Sequence, residues 1–357
     1  MDDILACIGG TPLVPLRSVA PATGARVLVK LESQNPTGNL KDRMALAMVS
    51  RRPPQRPAGR GRAGGRNAGD AAPGSHWRSS AQVLGHPLHV VSSDAFAREK
   101  LDHMRLLGAT LRIVASDGGR MTADLTRAMI EAARVVAESS GAYWTDQMRN
   151  RDQLAGYHRL GDEILAETGG RLDAFVQSVG TGGAVRGVAE VVRARRPAAA
   201  IVAVEPAESA VLSGGAPGAH AIDGIGAGFV VPLWDARLVD AIETVSTTEA
   251  IAMAVRLASE EGLFAGTSTG ANVVAALRVA AGLPPTATVV TIMCDTGISA
   301  TADVRRALTG AAGRSGGGSA CRPPPPVPWP SSSCWRRRLP APSRTSAHRR
   351  RPHQAPP

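Results

Sequence analysis

The sequence has no run approaching the roughly 18 consecutive apolar residues that a membrane span requires. Its N-terminus also lacks the basic start and following apolar stretch of a secretory leader. Both absences point to a cytoplasmic protein with no membrane partner. Cysteine is scarce: among 357 residues only Cys7, Cys294, Cys321 and Cys334 carry a thiol, and their spacing fits no metal site. No metal is expected, and Cys7 and Cys294 read as small buried hydrophobes. Acidic residues are missing from 313–357, which holds nine arginines, and nearly missing from 51–80, where seven arginines face one aspartate. The formal net charge of +11 therefore belongs to these two segments, and the rest of the chain is mildly acidic. A nucleic-acid-binding body is disfavoured; any such binding would be carried by the two segments and would depend steeply on salt.

Neither segment shows a helix or strand period. Arg51-Arg52-Pro53-Pro54 through His76-Trp77-Arg78 is rich in Arg, Gly and Pro, and the second segment holds Pro323–Pro326, Arg336–Arg338 and Arg349–Arg351. Their composition is that of disordered chain, so 313–357 is expected to be a disordered tail. Three readings stand: nucleic-acid-binding arms, solvated linkers, or out-of-frame translation of GC-rich coding sequence. The last fits the Arg/Pro/Gly/Ser mixture best.

What is present centres on one lysine. Arg26-Val27-Leu28-Val29-Lys30-Leu31-Glu32 reads as a strand, and the turn dipeptides Asn35-Pro36 and Thr37-Gly38 follow it. Asn39 is a suitable N-cap with Asp42 three residues on, a capping-box pattern that places Lys41 in a first helical turn. The helix dipole disfavours a cation there and biases the amine toward its neutral, nucleophilic form. Spacing alone leaves an ordinary surface lysine as the alternative.

From about Gln82 the chain alternates. Strands are predicted at 87–92, 111–114, 142–144, 174–179, 201–205 and 288–293. Helices are predicted at 97–107, across Leu125, Met129, Ala132 and Val135 to Gly141, and at 184–195, 247–261 and 270–281. Such alternation implies mostly parallel sheets covered by helices on both faces, with sites beyond the carboxyl ends of strands.

Two further patches sit at such strand ends. In Val179-Gly180-Thr181-Gly182-Gly183-Ala184 a strand feeds a glycine turn that opens a helix, where converging N–H groups and the helix dipole welcome an anion. The spacing lacks the dinucleotide pattern and suits a single phosphate group. In Gly266-Thr267-Ser268-Thr269-Gly270 hydroxyls crowd a helix start, and capping by Ser268 or Thr269 explains them equally well. Ile222-Asp223-Gly224-Ile225-Gly226-Ala227-Gly228-Phe229 is another glycine-rich loop.

A lysine, a phosphate cradle and a hydroxyl at a helix start are together what a pyridoxal phosphate site requires. The chain resembles the cysteine synthase (O-acetylserine sulfhydrylase) and cystathionine β-synthase family of tryptophan-synthase-β-like pyridoxal phosphate enzymes. The resemblance runs over roughly 5–50 and 83–300, from Ile8-Gly9-Gly10-Thr11-Pro12-Leu13 to Asp295-Thr296-Gly297. It implies two open, mostly parallel twisted sheets with helices on both faces. The larger domain would comprise 1–34 and 146–312, and the smaller, substrate-loop domain 35–145. It implies that Lys41 joins pyridoxal 5'-phosphate through a Schiff base and then serves as base at the substrate α-carbon. Gly180, Thr181, Gly182 and Gly183 would hold the phosphate, and Ser268 the pyridine nitrogen, a neutral partner that gives a mild electron sink. Gln147 and Gly228 would face the substrate. The implied reaction replaces the acetoxy group of O-acetylserine with sulfide to form cysteine, in a homodimer that can dock a serine acetyltransferase tail. Cystathionine β-synthase-like condensation, serine or threonine dehydratase activity, and a non-catalytic partner of serine acetyltransferase remain as alternatives.

One departure bears on activity. The family's Ser/Thr-Gly-Asn-Thr-Gly substrate loop is absent, and the Arg/Gly/Pro stretch 51–80 stands in its place. Pro73-Gly74-Ser75-His76-Trp77-Arg78 can be encoded so that a shifted frame reads Thr-Gly-Leu-Ser-Leu-Ala, a plausible end to that loop. Ala184 also replaces a hydroxyl residue common after the phosphate turn. Turnover is expected to be impaired.

Overall fold

A computed structural model of the chain describes residues 3–21, 24–50, 88–96, 98–106, 108–119 and 122–299. The expectations for 51–80, for the substituted loop within it and for 313–357 fall outside these residues.

Eight strands and seven α-helices are described. The strands are β1 (Leu13–Pro15), β2 (Arg26–Leu31), β3 (His89–Ser93), β4 (Thr110–Val114), β5 (Ala174–Ser178), β6 (Ala200–Pro206), β7 (Ala241–Val245) and β8 (Thr288–Met293). The helices are α1 (Lys41–Ser50), α2 (Arg98–Leu106), α3 (Ala123–Ser140), α4 (Leu154–Glu167), α5 (Gly183–Arg195), α6 (Thr247–Glu260) and α7 (Thr267–Ala281). The larger sheet has the order β1-β2-β8-β5-β6-β7, and β3 and β4 form a second sheet. All pairings are parallel except β1 with β2. The mostly parallel α/β arrangement is what the alternation implied, and its division into two sheets is what the family resemblance implied.

Strand residues explain why helices cover both faces. Val27, Val29, Val176, Val202, Val204 and Val289 point into a core shared with α6 and α7. The intervening Leu28, Phe175, Ile201, Ala203, Val290 and Ile292 point into a core with α1, α4 and α5. Every residue of β5, β6 and β8 is buried, as expected of parallel strands covered on both sides. Val91, Leu125, Met129 and Ala133 make a smaller core between β3 and α3. Among the described residues no helix is long and apolar enough to cross a membrane, and no group of His, Cys, Asp or Glu could hold a metal ion.

Several expectations need correction. Residues 142–144 form no strand: Ala142 N–H closes the end of α3 on Ala137 O, Tyr143 accepts from Asn150 through its hydroxyl, and Trp144 packs on the small core. Local apolar content there serves packing rather than a ladder. Helix α7 starts at Thr267, three residues before the predicted start, because Gly266 is its N-cap and needs no side-chain cap. Ser268 and Thr269 therefore lie inside the first turn. Asp42 makes no capping box with Asn39; its carboxylate accepts from the Thr37 N–H and hydroxyl instead. Cys7 is exposed and Cys294 half-buried, so neither is a fully buried hydrophobe. Strands β1 and β7 and helix α4 lie where no element was predicted.

Candidate active site

The parallel strands β2, β8, β5 and β6 end at one edge of the larger sheet, and the polar patches of the sequence gather there. Lys41 opens α1, its backbone N–H donating to Asn39 Oδ1 at 2.9 Å. The helix forms because Met44, Ala45, Met48 and Val49 make one apolar stripe, which is buried in the core shared with α4 and α5.

Beneath α1 lies a buried charge cluster. Arg43 pairs with Glu32 at 2.6 Å and with Glu163 of α4 at 2.6 Å. Lys30 pairs with Glu163 at 3.1 Å and Glu167 at 2.8 Å, and Thr11 and Asn35 donate to Glu32. Burial alone would raise the Glu163 carboxyl, but the hydrogen bond and charge of Arg43, with Lys30, bring it down to about 2. Burial pushes Asp42 up to about 6 despite its two bonds from Thr37. The cluster ties β2, α4 and the Gly9-Gly10-Thr11 segment to the helix that carries Lys41. Nothing in the local sequence announces Glu163, because α4 itself was not predicted.

Above α1 the Lys41 amine faces backbone. Its Nζ lies 3.8 Å from where a Cβ on Gly224 would stand. The Gly224 carbonyl lies against Gly180, so a side chain on Gly180 would overlap it. A Cβ on Gly183 would overlap Gln153 Oε1, and one on Gly182, at φ +85°, would stand 3.2 Å from Trp234 N. The close approaches at Gly180 and Gly183 and the positive φ of Gly182 thus make glycine the fitting residue at these three positions of the turn. Gln153 braces it: Thr181 donates to Gln153 Oε1 at 3.1 Å, and Gln153 Nε2 donates to the Gln147 carbonyl at 2.6 Å.

Ser268 is buried in the first turn of α7. Beside it, Thr267 Oγ1 accepts from Asp223 N–H at 3.0 Å and Thr269 Oγ1 from Cys294 N–H at 3.0 Å. Asn272, one turn on, accepts from Ser178 N–H at 2.8 Å and donates to the Ile292 carbonyl at 2.9 Å, locking α7 to the ends of β5 and β8. The Cys294 thiol receives Gln177 and Asn272 amides at 3.4 Å, and burial pushes it up to about 11. Gly228 meets the start of α3, where a Cβ would stand 2.9 Å from Ala123 Cβ. Lys41, Gly180–Gly183 and Gly228 are linked through the 222–229 loop, Gln147 reaches the turn through Gln153, and Ser268 adjoins that loop through Thr267. Thr267 belongs to the hydroxyl patch read in the sequence, but no role for it, for Asn272 or for Gln153 was legible there; for Asn272 the signal was an asparagine within the apolar run of α7.

Three buried side-chain atoms here have no hydrogen-bond partner among the described residues: Ser178 Oγ at the end of β5, Thr145 Oγ1 and Gln147 Oε1. The last two flank Asp146, whose φ of +37° is unusual for a non-glycine residue. A folded protein rarely leaves buried polar atoms unpaired unless something else bonds to them. A glycine-rich turn, a helix N-terminus, a primary amine and unpaired hydroxyl and amide oxygens together suit a phosphorylated aldehyde with an amino-acid substrate.

A family profile described as "Pyridoxal-phosphate dependent enzyme" matches residues 4–295. The chain belongs to the pyridoxal-phosphate dependent enzymes. It is 35% identical to a cysteine synthase of Staphylococcus aureus over 304 residues, 83% of this chain and 94% of that protein. Among solved structures, cysteine synthase (OASS) from Entamoeba histolytica superposes with a TM-score of 0.74 at 32% identity, covering 84% of this chain and 88% of that one. The O-acetylserine dependent cystathionine β-synthase from Helicobacter pylori also gives 0.74, at 29% identity over 83% and 96%. The fold is therefore tryptophan-synthase-β-like and the cofactor pyridoxal 5'-phosphate, as the motifs around Lys41 and Gly180 implied.

Proposed function

We propose that this enzyme performs β-replacement on O-acetylserine, with sulfide as the nucleophile and cysteine as the product. The observation that carries the reading is the meeting of the Lys41 amine, Gly224 and the Gly180–Gly183 turn, in a chain 35% identical to a cysteine synthase. When bound, pyridoxal phosphate supplies an electron sink for charge at the substrate α-carbon. Lys41 holds the cofactor and then takes the α-proton. Gly180, Thr181, Gly182 and Gly183 bind its phosphate through backbone N–H groups and the dipole of α5. Ser268 offers the ring nitrogen a neutral partner, which favours β-elimination over transamination. Gln147 would help hold the substrate carboxylate, and Gly228 would lie against the substrate. Residues 1–34 and 146–312 make the cofactor-phosphate domain and 35–145 the substrate domain of a cytoplasmic homodimer.

The segment 51–80 replaces the substrate loop, so cofactor capture persists while turnover is severely reduced. Sequencing the coding DNA and restoring the frame across 51–80 should recover both loop and rate. Brisk cysteine formation from O-acetylserine and sulfide by the unaltered chain would refute the impairment. The Helicobacter pylori relative motivates a second reading, with a larger thiol as nucleophile. Product analysis with O-acetylserine and either sulfide or homocysteine separates the two, and keto-acid release from serine or threonine would indicate a dehydratase. Co-purification of serine acetyltransferase without turnover would favour a non-catalytic role.

A further inference from the structure

The loop that meets Lys41 is braced by a side chain to which the proposed reaction assigns no role. His220 Nδ1 lies 3.3 Å from the Ile222 N–H, and its Nε2 lies 3.0 Å from the Gly226 carbonyl. An amide N–H only donates and a carbonyl only accepts, so the ring accepts at Nδ1 and donates from Nε2. The imidazole thus bridges the turn 222–226 from within. Gly224, with φ +79°, lies inside that turn, its Cα side toward Lys41 Nζ and its carbonyl against Gly180. Gly226, with φ +64°, is pressed against the ring: a Cβ there would stand 2.6 Å from His220 Nε2 and 2.6 Å from Pro206 Cγ. Elsewhere the turn is held by Gly226 N–H on Val179 O at 3.1 Å and Asp223 N–H on Thr267 Oγ1 at 3.0 Å. Two glycines within five residues give the segment large conformational freedom to lose, and the ring spans both.

We propose that His220 is a positioning residue, whose Nε2-protonated imidazole fixes Gly224 and thereby the surroundings of the Lys41 amine and the Gly180 turn. Its catalytic meaning rests on Lys41 being the cofactor lysine; its geometric content does not. Three variants separate the two bonds. His220→Phe keeps a ring and neither bond, His220→Asn keeps an acceptor within reach of Ile222 N–H, and His220→Gln places a donor toward Gly226.

Two readouts are needed. The first is the dissociation constant of pyridoxal phosphate and the yield of Lys41 adduct trapped by borohydride. The second is reductive methylation of Lys41 in cofactor-free protein by formaldehyde and cyanoborohydride, read by peptide mass spectrometry against Lys100 of the same chain. Loss of both bonds should weaken cofactor binding about tenfold and change the Lys41-to-Lys100 methylation ratio about threefold or more. The Asn and Gln variants should fall between, with the thermal midpoint of the apoprotein nearly constant across them. A wild-type ratio and affinity in His220→Phe overturn the proposal. If that variant does not fold, wild-type values in both His220→Asn and His220→Gln overturn it. Imidazole ¹⁵N shifts of the unaltered protein showing a protonated Nδ1 and bare Nε2 would also overturn it. Failure of the wild type to trap the cofactor at Lys41 would refute the proposed function instead, and the methylation ratio would still decide the role of His220.

Discussion

The two sides of α1 treat buried polarity in opposite ways. Beneath the helix, Arg43, Glu32, Lys30 and Glu163 are buried or nearly so, and each is paired at 2.6–3.1 Å. Around the glycine cradle, Ser178 Oγ, Thr145 Oγ1 and Gln147 Oε1 are equally buried and lack a partner among the described residues. Saturated polarity holds an element in place, and breaking it leaves a stranded charge. Unsaturated polarity costs stability that is recovered when a ligand supplies the missing bonds. The same folded chain therefore presents a rigid floor for Lys41 and a receptive roof.

The sharpest break of this contrast is at the amine itself. Lys41→Ala should abolish borohydride-trapped cofactor and lower any residual turnover by on the order of 10²–10⁴-fold, the usual contribution of a positioned proton-transfer group. It should leave the urea midpoint near wild type, because the floor beneath is untouched. Arg43→Ala should do the reverse. It strands Glu32, which is 0% exposed, and should cost about 3–5 kcal/mol in urea unfolding. If Arg43→Ala proves as stable as wild type, the paired charges do not hold α1 in place.

A smaller effect is expected at the cradle. Gly183→Ala forces Gln153 aside, an overpacking worth about 1–3 kcal/mol, seen as weaker pyridoxal phosphate binding. Adding Gln153→Ala should recover part of that loss by making room; an additive double variant would show that the two residues do not meet.

The smallest effects are in pH. Glu163 is held at about 2, below its ordinary 4.5, so the native state binds its proton more weakly than the unfolded chain. Its stabilisation is complete above about pH 4.5 and disappears as pH falls toward 2. Asp42 is raised from 3.8 to about 6, so its contribution has the opposite sign: stability declines as pH rises from about 4 to about 6. Urea midpoints across this range should lose the acid-side slope in Glu163→Gln and the upper slope in Asp42→Asn. Unchanged slopes in both variants would show that the two carboxyls do not set the profile.

Local pattern carried much of the fold. The parallel strands β2, β5, β6 and β8 were legible because burial on both faces makes each a mostly apolar run. Helix α6 was legible from its period, and the structure adds a true capping box between Ser246 and Glu249. Strand β7, only partly buried along most of its length, gave no such run. Tyr143 and Trp144 misled in the other direction, since aromatic content is shared by strands and by loops packed on a core. At the site, Lys41, the glycine turn and Ser268 were legible because each stands at a strand-to-helix junction. Gln153, Asn272 and His220 were not, because each acts on residues distant in the chain or across a turn whose shape the chain alone does not specify.

By itself the sequence determined the alternation of strand and helix, the family, and a lysine, a glycine turn and a hydroxyl set at strand ends. Those depend on periodicity and short-range chemistry, which neighbouring residues encode. Only the tertiary structure decided which charges lie paired beneath α1, which polar atoms stay open, and that Gly224 touches both Lys41 and Gly180. Several of these contacts, Arg43 with Glu163 and Lys41 with Gly224 among them, join segments more than a hundred residues apart, and their energies depend on burial and approach distance, quantities that exist only once the chain has closed around them.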